Sequence, residues 1–196
     1  MSHTNGSGSP SLAADAPAAV VELSDACVRF VERGVGVRLD LEAETLPLLD
    51  HYLATSRTEL RERPEAAALV ARAAGAYFGE VVRRRIPSWW HAPGDDPAEW
   101  DVCLEPVFLR ISPIAAVHDA IHHGEGGGPV ASLEVEDEDR EAVEARLAEL
   151  PEVDEEEFYS LATRLEVLEI AVDAIKARMA QRGLGDVAFG PRDYEG

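Results

Sequence analysis

Gly75 and Gly79 interrupt the run EAAALVARAAGAYFGEVVRRR (65–85), which is otherwise rich in alanine and leucine and reads as a helix. Four residues apart, they lie on one face of that helix. A glycine inside a helix costs about 1 kcal/mol relative to alanine. A helix that bears this cost twice on one face is one that another backbone approaches closely. The chain is therefore expected to build itself around a helix lying flush on a short sheet.

The rest of the sequence supplies the partners. Apolar residues at Val20, Val21, Leu23, Val28 and Val31 mark a helix from Ala18 to Arg33, ended by Gly34. Val35, Val37 and Leu39 alternate with polar or small residues, as in a short strand. Leu46, Leu49, Leu53 and Leu60 share one side of a helix over Thr45 to Arg61, where Pro47 fits the first turn. SWWHAPGDDPAEW (88–100) is rich in Pro, Gly and Asp and reads as a loop. DVCLEPVFLRIS (101–112) reads as two short strands parted at Pro106. Ser112 and Pro113 then open a helix that ends at Gly124. PVASLEV (129–135) suggests another strand, and DREAVEARLAEL (139–150) a helix closed by Pro151. Phe158, Leu161, Leu165, Leu168, Val172 and Ile175 form a continuous stripe on a final helix from Asp154 to Arg182, stopped by Gly183. The expected fold class is α+β: a small, mostly antiparallel sheet packed against several helices, with a long C-terminal helix. One domain is expected over 17–183, with a disordered tail at 1–16 and a second tail at 184–196.

Charge narrows the choice of partners. Among 196 residues, 38 are acidic and 18 are Lys or Arg, a formal net charge of −20. Such a surface repels nucleic acid and anionic membrane, and it attracts basic proteins. The sequence has no basic leader followed by an apolar run and no apolar stretch of membrane-spanning length. Cys27 and Cys103 form no cysteine framework. The expectation is a soluble, cytoplasmic protein with no cofactor, no nucleic acid partner and no membrane partner.

HDAIHHGEGGGP (118–129) gathers three of the six histidines. His118 and His122 are spaced i, i+4 and share a helix face. HDAIH resembles the H-E-x-x-H motif of zinc proteases, with Asp119 in the glutamate position and no third ligand at a typical spacing. His118 and Asp119 also form an HD pair, with His91 upstream and Asp173 downstream, which resembles the ligand set of the HD phosphohydrolases. The metal reading therefore rests on His118, Asp119 and His122. In the opposing reading, His122 and His123 finish a helix whose negative end favours cationic side chains, and Gly124 supplies its left-handed stop.

GAYFGEVVRRRIPSWW (75–90) resembles a segment of a group of uncharacterised bacterial domains that carry a G-x-Y-x-G-E helix, a basic helix end, a tryptophan and then strands. LPLLDHYL (46–53) and EEEFYSLATRLEVLE (155–169) fit the same group, so the resemblance covers most of residues 20–180. It implies no established activity; some members of the group resemble immunity or toxin-neighbourhood proteins. On the residues themselves, Tyr77, Glu80, Trp89, Trp90 and Trp100 are the candidates for binding a ligand or partner. They are read either as an aromatic-lined cleft or as a helix-and-loop brace in which Glu80 takes a tryptophan indole or pairs with Arg83 or Arg84.

The acidic runs EVEDEDREAVE (134–144) and EVDEEEF (152–158) complete the inventory. They serve as helix N-terminal charge and solvated faces, or as a patch that docks a basic protein. The leading expectation is a non-enzymatic acidic protein-interaction or accessory module of immunity-like type. The alternatives are a metal-dependent hydrolase centred on HDAIHH and a structural protein that forms a homo-oligomer through its last helix.

Overall fold

The computed structural model describes residues 15–123 and 133–195. The expected tail over 1–14, the Gly124 stop and the start of the PVASLEV strand lie outside the described residues.

Seven α-helices and a four-stranded sheet make up the described chain: α1 (Ala18–Val35), α2 (Leu46–Glu62), α3 (Pro64–Arg85), β1 (Ser88–His91), β2 (Asp101–Leu104), β3 (Leu109–Ile111), α4 (Pro113–His122), β4 (Leu133–Val135), α5 (Asp137–Leu147), α6 (Glu155–Phe158) and α7 (Leu161–Gln181). The strands form an antiparallel meander in the order β1-β2-β3-β4. The fold is α+β, with α7 as its long C-terminal helix.

The paired glycines of α3 work as close-approach points, and their main neighbour is a helix. A Cβ on Gly75 would stand 2.8 Å from the Ile114 Cα of α4, closer than real side chains pack. A Cβ on Gly79 would overlap the Trp90 ring and crowd Pro113. α3 therefore lies flush on α4, and β1 slots its Trp90 ring into the second gap.

Several boundaries differ from those the residue patterns suggest. α1 runs through Gly34, whose missing side chain leaves room for the Tyr52 ring; the left-handed residue that ends it is Gly36, at φ 78°. Residues 37–40 join no sheet among the described residues, although buried Leu39 anchors them in the core. SWWH is a strand, not a loop: Trp89 pairs with Cys103 and Trp90 with Val102. The C-terminal helix is broken at Tyr159, and α7 starts anew with Ser160 as N-cap, its hydroxyl accepting from the Thr163 N–H. α7 then ends as expected at Gly183, where the Leu184 N–H returns to the Met179 carbonyl and the Gly183 N–H to Ala180. Leu161, Leu165, Leu168, Val172 and Ile175 are all buried within the domain, whereas Phe158, the stripe's first member, lies on α6 before the break and is exposed.

Strand alternation sends Trp90, Val102, Leu104, Leu109 and Ile111 into the main core and Trp89 and Cys103 to the opposite face. Phe189 and Tyr194, from the segment set apart as a tail on composition, cover that second face. Tyr194 is buried against Trp89, its ring edge-on at 5.3 Å, and stacks on Phe108 at 4.4 Å. Its hydroxyl accepts from the Leu109 N–H at 2.8 Å and lies 2.8–3.0 Å from the carbonyls of Leu104, Val107 and Leu109. The last residues thus pin the β2–β3 turn. Among the described residues, no helix is long and apolar enough to cross a membrane.

Candidate functional site at the junction of α2, α4 and α6

The aromatic candidates are dispersed through the interior. Tyr77 is fully buried, and its hydroxyl accepts from the Leu41 N–H and meets the Thr45 hydroxyl, both at 2.9 Å. Trp90 donates its indole N–H to Glu80 at 2.7 Å, and Glu80 also takes Arg83 at 2.9 Å. Trp100 is buried and donates to the Gly94 carbonyl, while Trp89 lies across the sheet with Tyr194. The polar handles of Tyr77, Trp90 and Trp100 are used inside the fold, and Trp89 and Trp90 occupy opposite faces of the sheet. This is the geometry of the brace, with Glu80 fixing the tryptophan strand to α3.

Two other runs, far apart in sequence, meet in space. The C-terminus of α4 carries the histidines; α6 carries the acids; α2 lies between them. α4 ends on His123, itself left-handed at φ 47°, with its N–H returned to the Asp119 carbonyl at 2.7 Å. Histidine is among the non-glycine residues that tolerate this region. From α2, Arg57 reaches the Ala120 carbonyl at 3.4 Å and Arg61 the Ile121 carbonyl at 3.1 Å. Two guanidinium groups thus satisfy carbonyls that the helix end leaves open, at the negative end of its dipole. Arg57 continues to α6, gripping Glu156 with two bonds of 2.7 and 2.6 Å. This planar fork is the strong form of the ion pair, and it holds the Glu156 carboxyl below its usual range. The His123 ring stacks on Tyr159 at 5.0 Å, and Tyr159 meets Phe158 edge-on at 5.0 Å. Burial and the neighbouring Arg57 push the His123 pKa down, so the ring is neutral at neutral pH.

Beneath α6 a cavity of about 460 Å³ is lined by Asp50, His51, Arg57, Glu156, Tyr159 and Thr163, among others. Asp50 is one of the acids that line it. The Asp50 carboxylate accepts from the Leu161 N–H at 2.7 Å and the Ala162 N–H at 3.1 Å, so a side chain of α2 caps the first turn of α7. Burial outweighs those two donors, and nearby Glu156 adds repulsion; the Asp50 pKa is pushed up to about 6.

The metal candidates divide at this junction. The His118 and His122 rings lie 4.3 Å apart on one face of α4, and His118 is exposed. Asp119 is buried and pairs with Arg164 of α7 at 3.4 Å. A carboxylate committed to a buried guanidinium is a poor ligand for the same cation the imidazoles would hold. His91 is at the end of β1 and Asp173 is exposed on α7, where it borders a different surface hollow with Glu138 and Arg178. Among the described residues, no group of three or more His, Cys, Asp or Glu side chains could hold a metal ion.

Asp50, Arg57, Tyr159 and Arg164 build this junction and were not singled out from the sequence. Two of them left a signal there. Asp50 follows Leu46 by four and precedes Leu53 by three, and Arg164 stands likewise between Leu161 and Leu168. A charged residue on an apolar stripe is buried with a partner or marks a site. No protein-family model, curated protein or solved structure matches this chain.

Proposed function

We propose that the protein is a non-enzymatic interaction module that docks a basic protein partner through the acidic surface at the α2–α4–α6 junction. The observation that carries this reading is the presentation of residues 150–158. All nine are exposed, five of them are acidic, Glu156 among them is gripped by the Arg57 fork, and Tyr159, next in the chain, stacks on His123. Disordered acids would lose entropy on docking; acids already held in one shape lose less. With a net charge of −20, the same surface disfavours nucleic acid and anionic lipid. The resemblance of GAYFGEVVRRRIPSWW to uncharacterised, partly immunity-like domains agrees with a binding role. Two buried, unbridged thiols, Cys27 and Cys103, suit a reducing cytoplasmic setting.

The test is affinity capture from an extract of the source cells on the immobilised chain, beside the variant D154K/E155K/E157K, at low and high salt. The expected result is a basic protein retained at low salt by the parent chain, and lost both at high salt and with the variant. Retention indifferent to salt and to the variant contradicts the reading.

A further inference from the structure

Charge alone does not describe residues 150–158. Eight large apolar side chains stand exposed among the described residues, and three of them, Leu150 (43%), Val153 (39%) and Phe158 (37%), fall within this one segment. The others are Val21, Val37, Leu69, Leu184 and Val187. The three alternate with Glu152 and Asp154 to Glu157. Phe158 is also the outer member of the aromatic series that runs inward through Tyr159 to His123. Its exposed ring is therefore seated on fixed neighbours instead of waving free in solvent.

We infer that this segment receives a basic amphipathic segment of the partner, one with an apolar face for Leu150, Val153 and Phe158 and lysine or arginine at its edges. The inference rests on the docking role proposed above and names the chemistry of the occupant. Charge complementarity selects among the occupants an apolar patch can have. A second copy of this chain would set Asp154, Glu155 and Glu157 against themselves, and like charges brought together at an interface oppose association. An anionic bilayer is repelled by the same carboxylates. A purely basic, unpatterned tail would satisfy the acids and leave the three apolar side chains in water. Only a segment with both characters covers the whole surface, in the manner of an amphipathic helix read through apolar anchors at helical spacing.

The probes are two synthetic peptides of equal length and net positive charge. One has leucine and lysine arranged as an amphipathic helix, and the other has its leucines replaced by serine. Binding is followed by fluorescence anisotropy of labelled peptide against the full chain. The expected result is at least roughly tenfold tighter binding of the Leu/Lys peptide, falling by about tenfold with L150S/F158S. These positions are exposed, so the thermal midpoint of the variant should stay near that of the parent, and this is measured alongside. L69S, an equally exposed apolar change on α3, is expected to leave binding unchanged. Equal, salt-sensitive binding of the two peptides, unaffected by L150S/F158S, overturns the inference while leaving the acidic docking role standing. No binding of either peptide, or equal loss with L69S, overturns both. Light scattering that shows a dimer abolished by L150S/F158S would assign the patch to a second copy and overturn the inference as well.

Discussion

At the scale of single residues, the side chains that organise this protein are the ones that break the pattern around them. Asp50 sits on the leucine face of α2, where a carboxylate must give up water, and it is kept there by the two amide donors of α7. Its pKa rises from 3.8 to about 6, so the folded chain binds this proton more tightly than the unfolded chain does. The sign follows. Stability from this group is present below about pH 4 and is lost as pH rises through 6, by on the order of 3 kcal/mol for a shift of this size. Urea denaturation of the parent and of Asp50→Asn between pH 4 and 7 tests it. The difference between them should move in favour of Asp50→Asn by up to that amount as pH increases, and a difference flat with pH contradicts it. The glycines break the pattern in the opposite sense, by leaving out atoms. That feature was legible in the sequence because two glycines at one helical interval have few other uses. Asp50 and Arg164 left only a weaker mark, a charge on an apolar stripe, and were not singled out from it. What the stripes do not carry is the partner, because Asp119 and the amides of α7 lie 45 and more residues away in the chain.

At the scale of elements, the helices were largely legible and the short strands less so. Helix periodicity repeats over several turns, while a four-residue strand such as SWWH is outvoted by the turn residues that follow it. Its tryptophans alternate between two buried faces, a pattern that needs the cover supplied by residues 184–195 to make sense. The break at Tyr159 was masked by a stripe that runs on in register, although Ser160 with Thr163 is a capping signal. The α3–α4 contact gives a prediction at this scale. Gly75→Ala adds about 1 kcal/mol of helix propensity. It also drives a methyl group onto the Ile114 backbone, 2.8 Å from Cα, which cannot rotate away as a side chain could. Overpacking of this kind costs roughly 1–3 kcal/mol or more, and against a backbone the upper end applies. The expected outcome is a lowered urea midpoint with an unchanged slope. A raised midpoint would show that the two helices do not touch there.

At the scale of the whole molecule, the chain closes over itself twice. Phe189 and Tyr194 cover the far face of the sheet, and Arg57, bonded to both Glu156 and the Ala120 carbonyl, ties the acidic α6 to the end of α4. The first closure is tested by thiol reactivity. Cys27 and Cys103 are both buried, with their thiols pushed up to about 12 by burial, and neither should react with a thiol reagent in the native protein at neutral pH. Deleting 184–196 is expected to make Cys103 reactive while Cys27 stays protected; equal reactivity of both before deletion contradicts the closure. The second closure bears the functional proposal, because a docking surface held in one shape differs from a loose acidic loop with the same composition. Amide hydrogen exchange across 154–162, in the parent chain and in Arg57→Ala, measures it most directly. The amides of Glu157, Leu161 and Ala162 are expected to be protected in the parent. In Arg57→Ala, exchange at Glu157 and its neighbours is expected to be faster, with the sheet and α3 unchanged. Rapid exchange throughout 154–162 in the parent, or no effect of removing Arg57, would show that α6 is not clasped to the junction.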